Sequence, residues 1–237
     1  MQTFLNKLIE KSLVQDKAEQ RNSKFRIGAS WQPDIVISRD PGSGGRVIAQ
    51  KIAKKLGWQL LDRQIMEELS RELGIPENEF AEIDEHGRSW IADTVHALFN
   101  THFVSDITYI NHLKRLLVHA AKKSDLVIVG RGANHIIPAD KCLRVKITAS
   151  WNTRVDNTFK YEKKSSRDEA EEWVKHVETK RNKFIEQYFG CDNYHPEHFD
   201  LVVNTDYLTL DTARDMVIDA FLAKFPDMRR KLKNKLS

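Results

Sequence analysis

The chain has 237 residues, of which 41% are hydrophobic and 30% are charged, and its formal net charge is +4. This balance is typical of a globular protein and excludes a disordered chain. No apolar run reaches the roughly 20 residues that a membrane-spanning helix needs. The two cysteines, Cys142 and Cys191, are too few for a disulfide framework. We therefore expect a cytoplasmic protein, whose mildly basic charge suits an anionic ligand without identifying it.

Residues 1–33 predict a helical extension ahead of the main domain. Apolar residues recur at helical spacing in this segment and form one face, which consists of Phe4, Leu5, Leu8, Ile9 and Leu13. We expect this face to dock on the body of the chain or on a second copy, which would give a homo-oligomer. A membrane-surface helix is the weaker alternative, because the polar face mixes acidic with basic residues.

Five short apolar segments with nearby turn residues predict buried strands. They span residues 34–38, 58–62, 125–130, 143–149 and 200–204. Helical patterns separate them, among them residues 47–56 before Gly57, a helix that starts at the capping-box sequence SRDE (166–169), and residues 210–224. This alternation predicts a doubly wound α/β fold with a five-stranded parallel sheet over residues 34–225.

Two further stretches fall outside this alternation. Residues 63–123 are mixed and mostly helical, and they exceed the length of a simple crossover, so part of them is predicted to be an inserted helical subdomain. Residues 226–237 carry the basic sequence RRKLKNKLS and are expected to form a solvated, frayed tail.

Polar or glycine-rich residues follow every predicted strand. They read RDPGSGGR after the first strand, DRQ after the second, RGAN after the third, SWNTR after the fourth and TD after the fifth. Ligands in parallel α/β sheets lie beyond the carboxyl ends of the strands. We therefore expect these residues to converge on one site.

The glycine-rich turn after the first strand predicts anion binding. Backbone N–H groups at Gly42, Ser43, Gly44 and Gly45 would face an anion at the N-terminus of the following helix. As a pattern GSGG alone is a weak signal, and a tight turn without a ligand is the simpler interpretation. The flanking strand and helix favour the phosphate loop.

The turn departs from the strict phosphate-binding pattern G-x-x-x-x-G-K-[ST]. When the second glycine of the pattern is aligned with Gly44, Gly45 takes the place of the lysine and Arg39 that of the first glycine. Val47 then lies near the hydroxyl position. The adjacent Arg46 is the candidate substitute for the missing lysine.

Two blocks, ISRDPGSGGRVIAQKIAKKLGWQLLD and IVGRGANHII, resemble the cytidylate kinase-like family, whose members carry GSGG in place of the lysine-containing loop. The resemblance covers residues 34–206. It implies the P-loop kinase fold with strand order 2-3-1-4-5, an acceptor-binding helical insertion at about 63–123 and a lid at about 151–190. The implied reaction transfers the γ-phosphoryl group of ATP to a nucleoside monophosphate, typically CMP, with Mg²⁺.

The resemblance also assigns residues to roles. Arg131 and Asn134 in the GRGAN sequence would bind the acceptor, and a guanidinium fork suits a phosphate group. Arg154 and Arg181 match lid arginines that neutralise the transferring phosphate. Asp62, after the second strand, would hold the acceptor or a magnesium-bound water, and a cap for a helix starting at residue 63 is the alternative.

Two positions depart from true cytidylate kinases. Gly132 replaces an aspartate that helps to read the nucleotide, and Glu68 replaces an arginine for the acceptor phosphate. No residue is predicted as a metal ligand in its own right, because the nine histidines show no ligand spacing. His135 is expected to be a packed or surface residue.

Three functional hypotheses stay open at this point. The first is an active nucleoside monophosphate kinase. The second is a catalytically inactive module that binds a nucleotide or phosphometabolite, which the missing lysine and hydroxyl favour. The third is a nucleic-acid or membrane-surface partner that uses the basic tail and the N-terminal helix. It predicts binding that collapses with salt and persists after mutation of the loop. We expect no specific nucleic-acid partner.

Overall fold

The computed structural model describes residues 31–62, 110, 113–114, 117–118, 120–122 and 125–236. Its five parallel strands lie in the order β2-β3-β1-β4-β5, which confirms the predicted P-loop kinase-type sheet. The strands are β1 (Asp34–Arg39), β2 (Gln59–Leu61), β3 (Leu126–Val129), β4 (Cys142–Thr148) and β5 (Leu201–Asn204). Nearly all of the N-terminal extension (1–33) and most of the insertion (63–123) lie outside the described residues.

The helices of the described residues lie on both faces of the sheet. They are α1 (Gly45–Leu56), α2 (Ala133–Ile136), α3 (Trp151–Tyr161), α4 (Arg167–Phe189), α5 (Leu210–Lys224) and α6 (Pro226–Leu236). Two single 3₁₀ turns, Ala139–Lys141 and Pro196–His198, precede β4 and β5. Among the described helices, none combines the length and the apolar character of a membrane span.

The helix boundaries follow from local capping chemistry. Gly57 and Gly190 end α1 and α4 in the left-handed conformation, with φ of 63° and 65°, which glycine adopts at little cost. The Ser166 hydroxyl accepts a hydrogen bond from the Glu169 N–H at 3.1 Å. The Glu169 carboxylate in turn accepts from the Ser165 N–H at 2.7 Å, one residue before the usual capping-box partner.

One face of the sheet is covered by α1, α5 and α6 and is apolar throughout. Alternate strand residues, such as Ile37 and Val145, pack there against Phe221 of α5. Met228 and Leu232 of α6 are each 4% exposed within the same core. The expectation of a solvated, frayed tail is therefore wrong: two apolar residues four positions apart form a buried stripe that fixes residues 226–236 as a helix.

The opposite face is more polar, and α4 packs over it. The alternation of β4 turns Arg144, Lys146 and Thr148 to this side, while Val145 and Ile147 enter the apolar core. Phe184 and Tyr188 of α4 pack against a second apolar cluster, which lies nearer to β3. This face and the carboxyl ends of the strands carry the candidate site.

Candidate functional site

The glycine-rich turn connects β1 directly to α1. β1 continues through Arg39, the loop begins at Asp40, and α1 begins at Gly45 after the N-cap Gly44. In the alignment made from the sequence, with Gly44 as the second glycine of G-x-x-x-x-G-K-[ST], Gly45 takes the lysine position and is the first residue of this helix. Arg46 follows it on the first turn, and Val47 lies near the hydroxyl position.

Hydrogen bonds within the loop hold it in a tight turn. The Asp40 carbonyl accepts both the Ser43 N–H at 3.3 Å and the Ser43 hydroxyl at 2.8 Å. Gly42 and Gly44 have φ of 77° and 79°, the region that glycine tolerates best. The Thr205 hydroxyl donates to the Ser43 carbonyl at 3.0 Å. Ser43 therefore shapes the loop from inside.

The loop is also packed tightly between α3 and α5. A Cβ on Gly42 would overlap the Arg154 carbonyl oxygen, and the Asn157 amide donates to the Gly42 carbonyl at 2.9 Å. A Cβ on Gly44 would lie 2.8 Å from the Leu210 side chain. The glycines thus allow the close approach of neighbouring elements, and the loop shape is set before any ligand binds.

Arg46 and Asp62 form an ion pair beside the loop. The Arg46 Nη2 lies 3.1 Å from the Asp62 Oδ2, and the Asp62 side chain is only 9% exposed whereas that of Arg46 is 53% exposed. The pair joins the first turn of α1 to the end of β2 and holds the guanidinium next to the lysine position. The alternative role of Asp62 as a helix cap concerns residues that lie outside the described part of the chain.

The sequence reading missed a buried lysine that anchors the loop. The Lys146 Nζ lies 2.7 Å from the Asp40 Oδ1, and the Thr148 hydroxyl donates to Asp40 Oδ2 at 2.6 Å. Lys146 is 3% exposed, and its Nζ lies 4.7 Å from the centre of the Tyr194 ring. Burial lowers the pKa of Lys146, while the charge of Asp40 opposes that shift. A lysine within an apolar strand was the available signal, because such a charge needs a partner.

The turn after β3 holds Arg131 in an unusual conformation. Gly130, Arg131 and Gly132 have φ of 78°, 55° and 63°, three left-handed residues in succession. Left-handed backbone costs a non-glycine residue about 1–2 kcal/mol. Strain of this kind concentrates at functional sites, so the outlier supports a role for Arg131.

A small cavity of about 70 Å³ lies between this turn, the end of β1 and α4. It brings together three residues that were singled out from the sequence, Arg131, Asn134 and Arg181, and it adds Arg39, which was not. The remaining described residues that line it are Ser38, Val129, Gly130, Gly132, Phe184, Ile185 and Asn193.

The two arginines predicted for the lid have different surroundings. The Arg181 Nη1 donates to the Arg39 carbonyl at 3.1 Å, which places it at the carboxyl end of β1. Arg154 is 8% exposed and pairs with Glu178 at 2.7 Å. The Tyr194 hydroxyl also donates to Glu178 at 2.7 Å, and burial and this bond raise the pKa of Tyr194. In this structure Arg181 faces the strand ends, and Arg154 forms an ion pair between α3 and α4.

Comparison with known proteins identifies the family. The family model described as the cytidylate kinase-like family matches residues 34–207. The chain belongs to the cytidylate kinase-like family. Among its relatives, a cytidylate kinase of Pyrobaculum aerophilum is 28% identical to this chain over 188 residues, which cover 78% of this chain and 90% of that protein. A cytidylate kinase of Pyrobaculum neutrophilum is 27% identical over the same coverage.

A solved structure agrees with the family fold. An uncharacterized protein from Eubacterium ventriosum superimposes with a TM-score of 0.57 and covers 80% of this chain and 98% of its own, at 19% identity. Identity at this level supports the shared fold alone.

Family members use a nucleotide, and the loop offers donors for its phosphates. The first turn of an α-helix leaves backbone N–H groups without intrahelical partners. At α1 the N-cap is Gly44, which adds no side-chain cap. The helix dipole also favours an anion at this end. The start of α1 therefore fits the phosphate groups of a nucleoside triphosphate.

The described residues fit Mg²⁺ only as an ion that arrives with the nucleotide. In the described part of the chain no group of three or more His, Cys, Asp or Glu side chains could hold a metal. The Asp62 carboxylate pairs with Arg46 on the first turn of α1, and Mg²⁺ is commonly bound by one or two carboxylates plus substrate phosphates. Among the histidines, His135 is packed against Phe189 with ring centres 4.9 Å apart, and burial lowers its pKa to about 4.

Proposed function

We propose that this chain transfers the γ-phosphoryl group of ATP to a nucleoside monophosphate such as CMP. The observation that carries the proposal is Arg46, which lies next to the lysine position on the first turn of α1 and is paired with Asp62. A phosphate oxygen of the acceptor would attack the γ-phosphorus, the bond to the β,γ-bridging oxygen would break, and ADP would leave. Catalysis of this reaction is mainly positioning and charge stabilisation.

The donor and the acceptor would bind at neighbouring strand ends. The loop from Gly42 to Arg46 would hold the donor phosphates, and Mg²⁺ bound with the nucleotide would supply neutralisation of their charge. Arg131 and Asn134, after β3, would hold the acceptor. Two relatives named cytidylate kinase, at 28% and 27% identity, support this class of acceptor.

Helices α3 and α4, with the turn between them, would act as the lid over residues 151–190. Arg181 already reaches the end of β1, and Arg154 could turn toward phosphate if Glu178 released it. The acceptor-binding role of residues 63–123, a cytoplasmic location and a homo-oligomer through the N-terminal segment stay predictions.

A catalytically inactive binding module is the second candidate. Val47 supplies no hydroxyl for a metal-bound phosphate, and the cavity of about 70 Å³ is smaller than the roughly 300 Å³ of typical ligand pockets. A module that binds without turnover would need neither a closed metal site nor a full acceptor pocket.

The deciding experiment is a turnover assay with ATP, Mg²⁺ and a panel of nucleoside monophosphates, with ADP and the diphosphate product both quantified. The kinase predicts both products in equal amounts, and a loss of turnover in Arg46→Gln that Arg46→Lys partly restores. Lys233→Met, at an exposed position on α6, is the matched control and should keep full turnover. ATP binding without product across the panel would reject the kinase and leave the module, and absence of any nucleotide binding would reject both.

A further inference from the structure

We propose that Arg39 is a ligand of the acceptor's phosphate group, which makes the cavity between β1, β3 and α4 a three-arginine phosphate site. This inference rests on the proposed function and adds to it a residue that no motif assigns.

Two glycines from separate motifs make room for the Arg39 side chain. A Cβ on Gly45, at the start of α1, would lie 2.5 Å from the Arg39 Cβ. A Cβ on Gly130, after β3, would overlap the Arg39 Nη1. The stem of Arg39 therefore passes the start of α1, and its guanidinium lies against the turn that carries Arg131. A side chain that both motifs accommodate is positioned by the fold.

The chemistry of the cavity wall fits a phosphate dianion. Arg39, Arg131 and Arg181 come from three different elements and line one cavity, and Asn134 and Asn193 add amide groups. Of the described residues that line it, none is acidic. Guanidinium forks bind phosphate oxygens in bidentate geometry, and converging arginines are a recurrent solution for phosphate recognition.

The size of the cavity limits what this part of the site can hold. At about 70 Å³ it exceeds the roughly 10–15 Å³ of such volume that one water needs, yet it lies far below the volume of a drug-sized ligand pocket. We therefore assign it to the phosphate group alone, with the nucleoside outside it. The site should bind inorganic phosphate and a phosphomonoester, and it should not bind the uncharged nucleoside.

The test measures binding of inorganic phosphate to the full-length, nucleotide-free protein by calorimetry. In Arg39→Gln the dissociation constant should rise about 10- to 100-fold, which is the range for losing one charged hydrogen-bonding group. Arg39→Lys should recover little of it, because an ammonium lacks the fork. The control Arg230→Gln removes the same charge at an exposed position on α6 and should bind like the wild type. CMP should compete with phosphate, and cytidine should not.

Several results would overturn the assignment: no phosphate binding by the wild type, unchanged binding by Arg39→Gln, or equal competition by cytidine. If Arg39→Gln does not fold, modification of wild-type arginines by phenylglyoxal decides instead, and phosphate should protect Arg39 more than Arg230. Failure of this assignment can be distinguished from failure of the proposed function, because phosphate binding is measured without ATP. Phosphate binding that depends on Arg39 in a protein without turnover would keep this site and reject the kinase.

Discussion

The sheet face under α1, α5 and α6 differs from the face under α4 in what its strands present. The first face buries a continuous apolar cluster in which Trp58 and Phe221 meet edge to face, with ring centres 5.2 Å apart. The second face buries Lys146 against Asp40 and turns Arg144 toward Asp200 at 2.8 Å. Both faces belong to the same strands, since β4 supplies alternate residues to each.

This difference indicates that one face mainly stabilises the fold and that the other mainly positions the site. Apolar burial stabilises the fold wherever it occurs, and it does not depend on exact orientation. A buried ion pair often contributes less than well-packed apolar residues would, because both charges lose water. We therefore interpret the Lys146–Asp40 pair as a device that orients the loop, and the opposite face as the source of most of the folding free energy.

The largest expected effect comes from the apolar face. Phe221→Ala should lower the free energy of unfolding by about 3–5 kcal/mol, because it removes a fully buried ring and leaves a cavity. Chemical denaturation measures the loss. Phosphate binding per folded molecule should not change. The exposed Val202→Ala on β5 is the apolar control and should cost far less. A weaker phosphate site in folded Phe221→Ala would contradict the division between the faces.

On the charged face, which is the sheet face under α4, we expect a smaller loss of stability together with an effect on the loop. Lys146→Met should cost about 3 kcal/mol, because Asp40 stays buried without its counterion. Pairing it with Asp40→Asn should restore most of that stability while the loop loses its anchor to β4. Denaturation of both variants and nucleotide binding by the double variant are the measurements. Lys233→Met, at an exposed position, should stay within about 0.5 kcal/mol of the wild type.

Two other outcomes for these variants would be informative. If Lys146→Met alone is as stable as the wild type, burying Asp40 without its counterion does not destabilise the fold. If the double variant binds nucleotide normally, Asp40 does not orient the loop, and the two faces do not differ in function.

The two faces also show which features of the fold and of the site can be predicted from the sequence. The five strands are recognisable from the sequence because strands buried on both faces are continuously apolar. The helix ends are recognisable because the capping residues Gly57, Gly190 and Ser166 act within one turn of the chain. The strand order came from the family resemblance. Arg39 and Lys146 were missed, because their meaning lies in neighbours that are distant along the chain. The α6 helix was missed because its basic residues obscured a stripe of only two buried positions.

The loop shows the same limit at closer range. The sequence places Gly45 at the lysine position with Arg46 beside it, and only the structure shows that Arg46 pairs with Asp62 at the end of β2. The acceptor-binding role of residues 63–123 stays a prediction, because periodicity alone does not reveal a contact.

A third prediction concerns a buried acid at the opposite end of the charged face. Burial raises the pKa of Asp34 to about 8, whereas the unfolded chain has a value of about 4. Between these values the folded state binds the extra proton, so this group's contribution to stability is present at low pH and is lost as pH rises. From pH 5 to 7 its contribution should fall by about 2–3 kcal/mol.

Asp34→Asn tests this directly, because an amide oxygen can still accept the Leu126 N–H, now held at 2.9 Å. The free energy of unfolding should be measured for both proteins from pH 4 to 8. The free energy of unfolding of the variant, relative to that of the wild type, should increase steadily as pH rises. Parallel stability curves would show that Asp34 titrates normally, and that its environment is not the dry interior that the structure shows.

The smallest expected effect tests whether strain at Arg131 serves binding. Its φ of 55° should be relieved in Arg131→Gly, which should gain about 0.5–1 kcal/mol of stability after the greater chain entropy of unfolded glycine is subtracted. Arg131→Ala keeps the strained backbone and removes the same guanidinium. Both variants should lose phosphate binding equally, and only the glycine variant should gain stability in denaturation. If neither is more stable than the wild type, the turn is not strained, and the geometry of Arg131 is no longer evidence for its role.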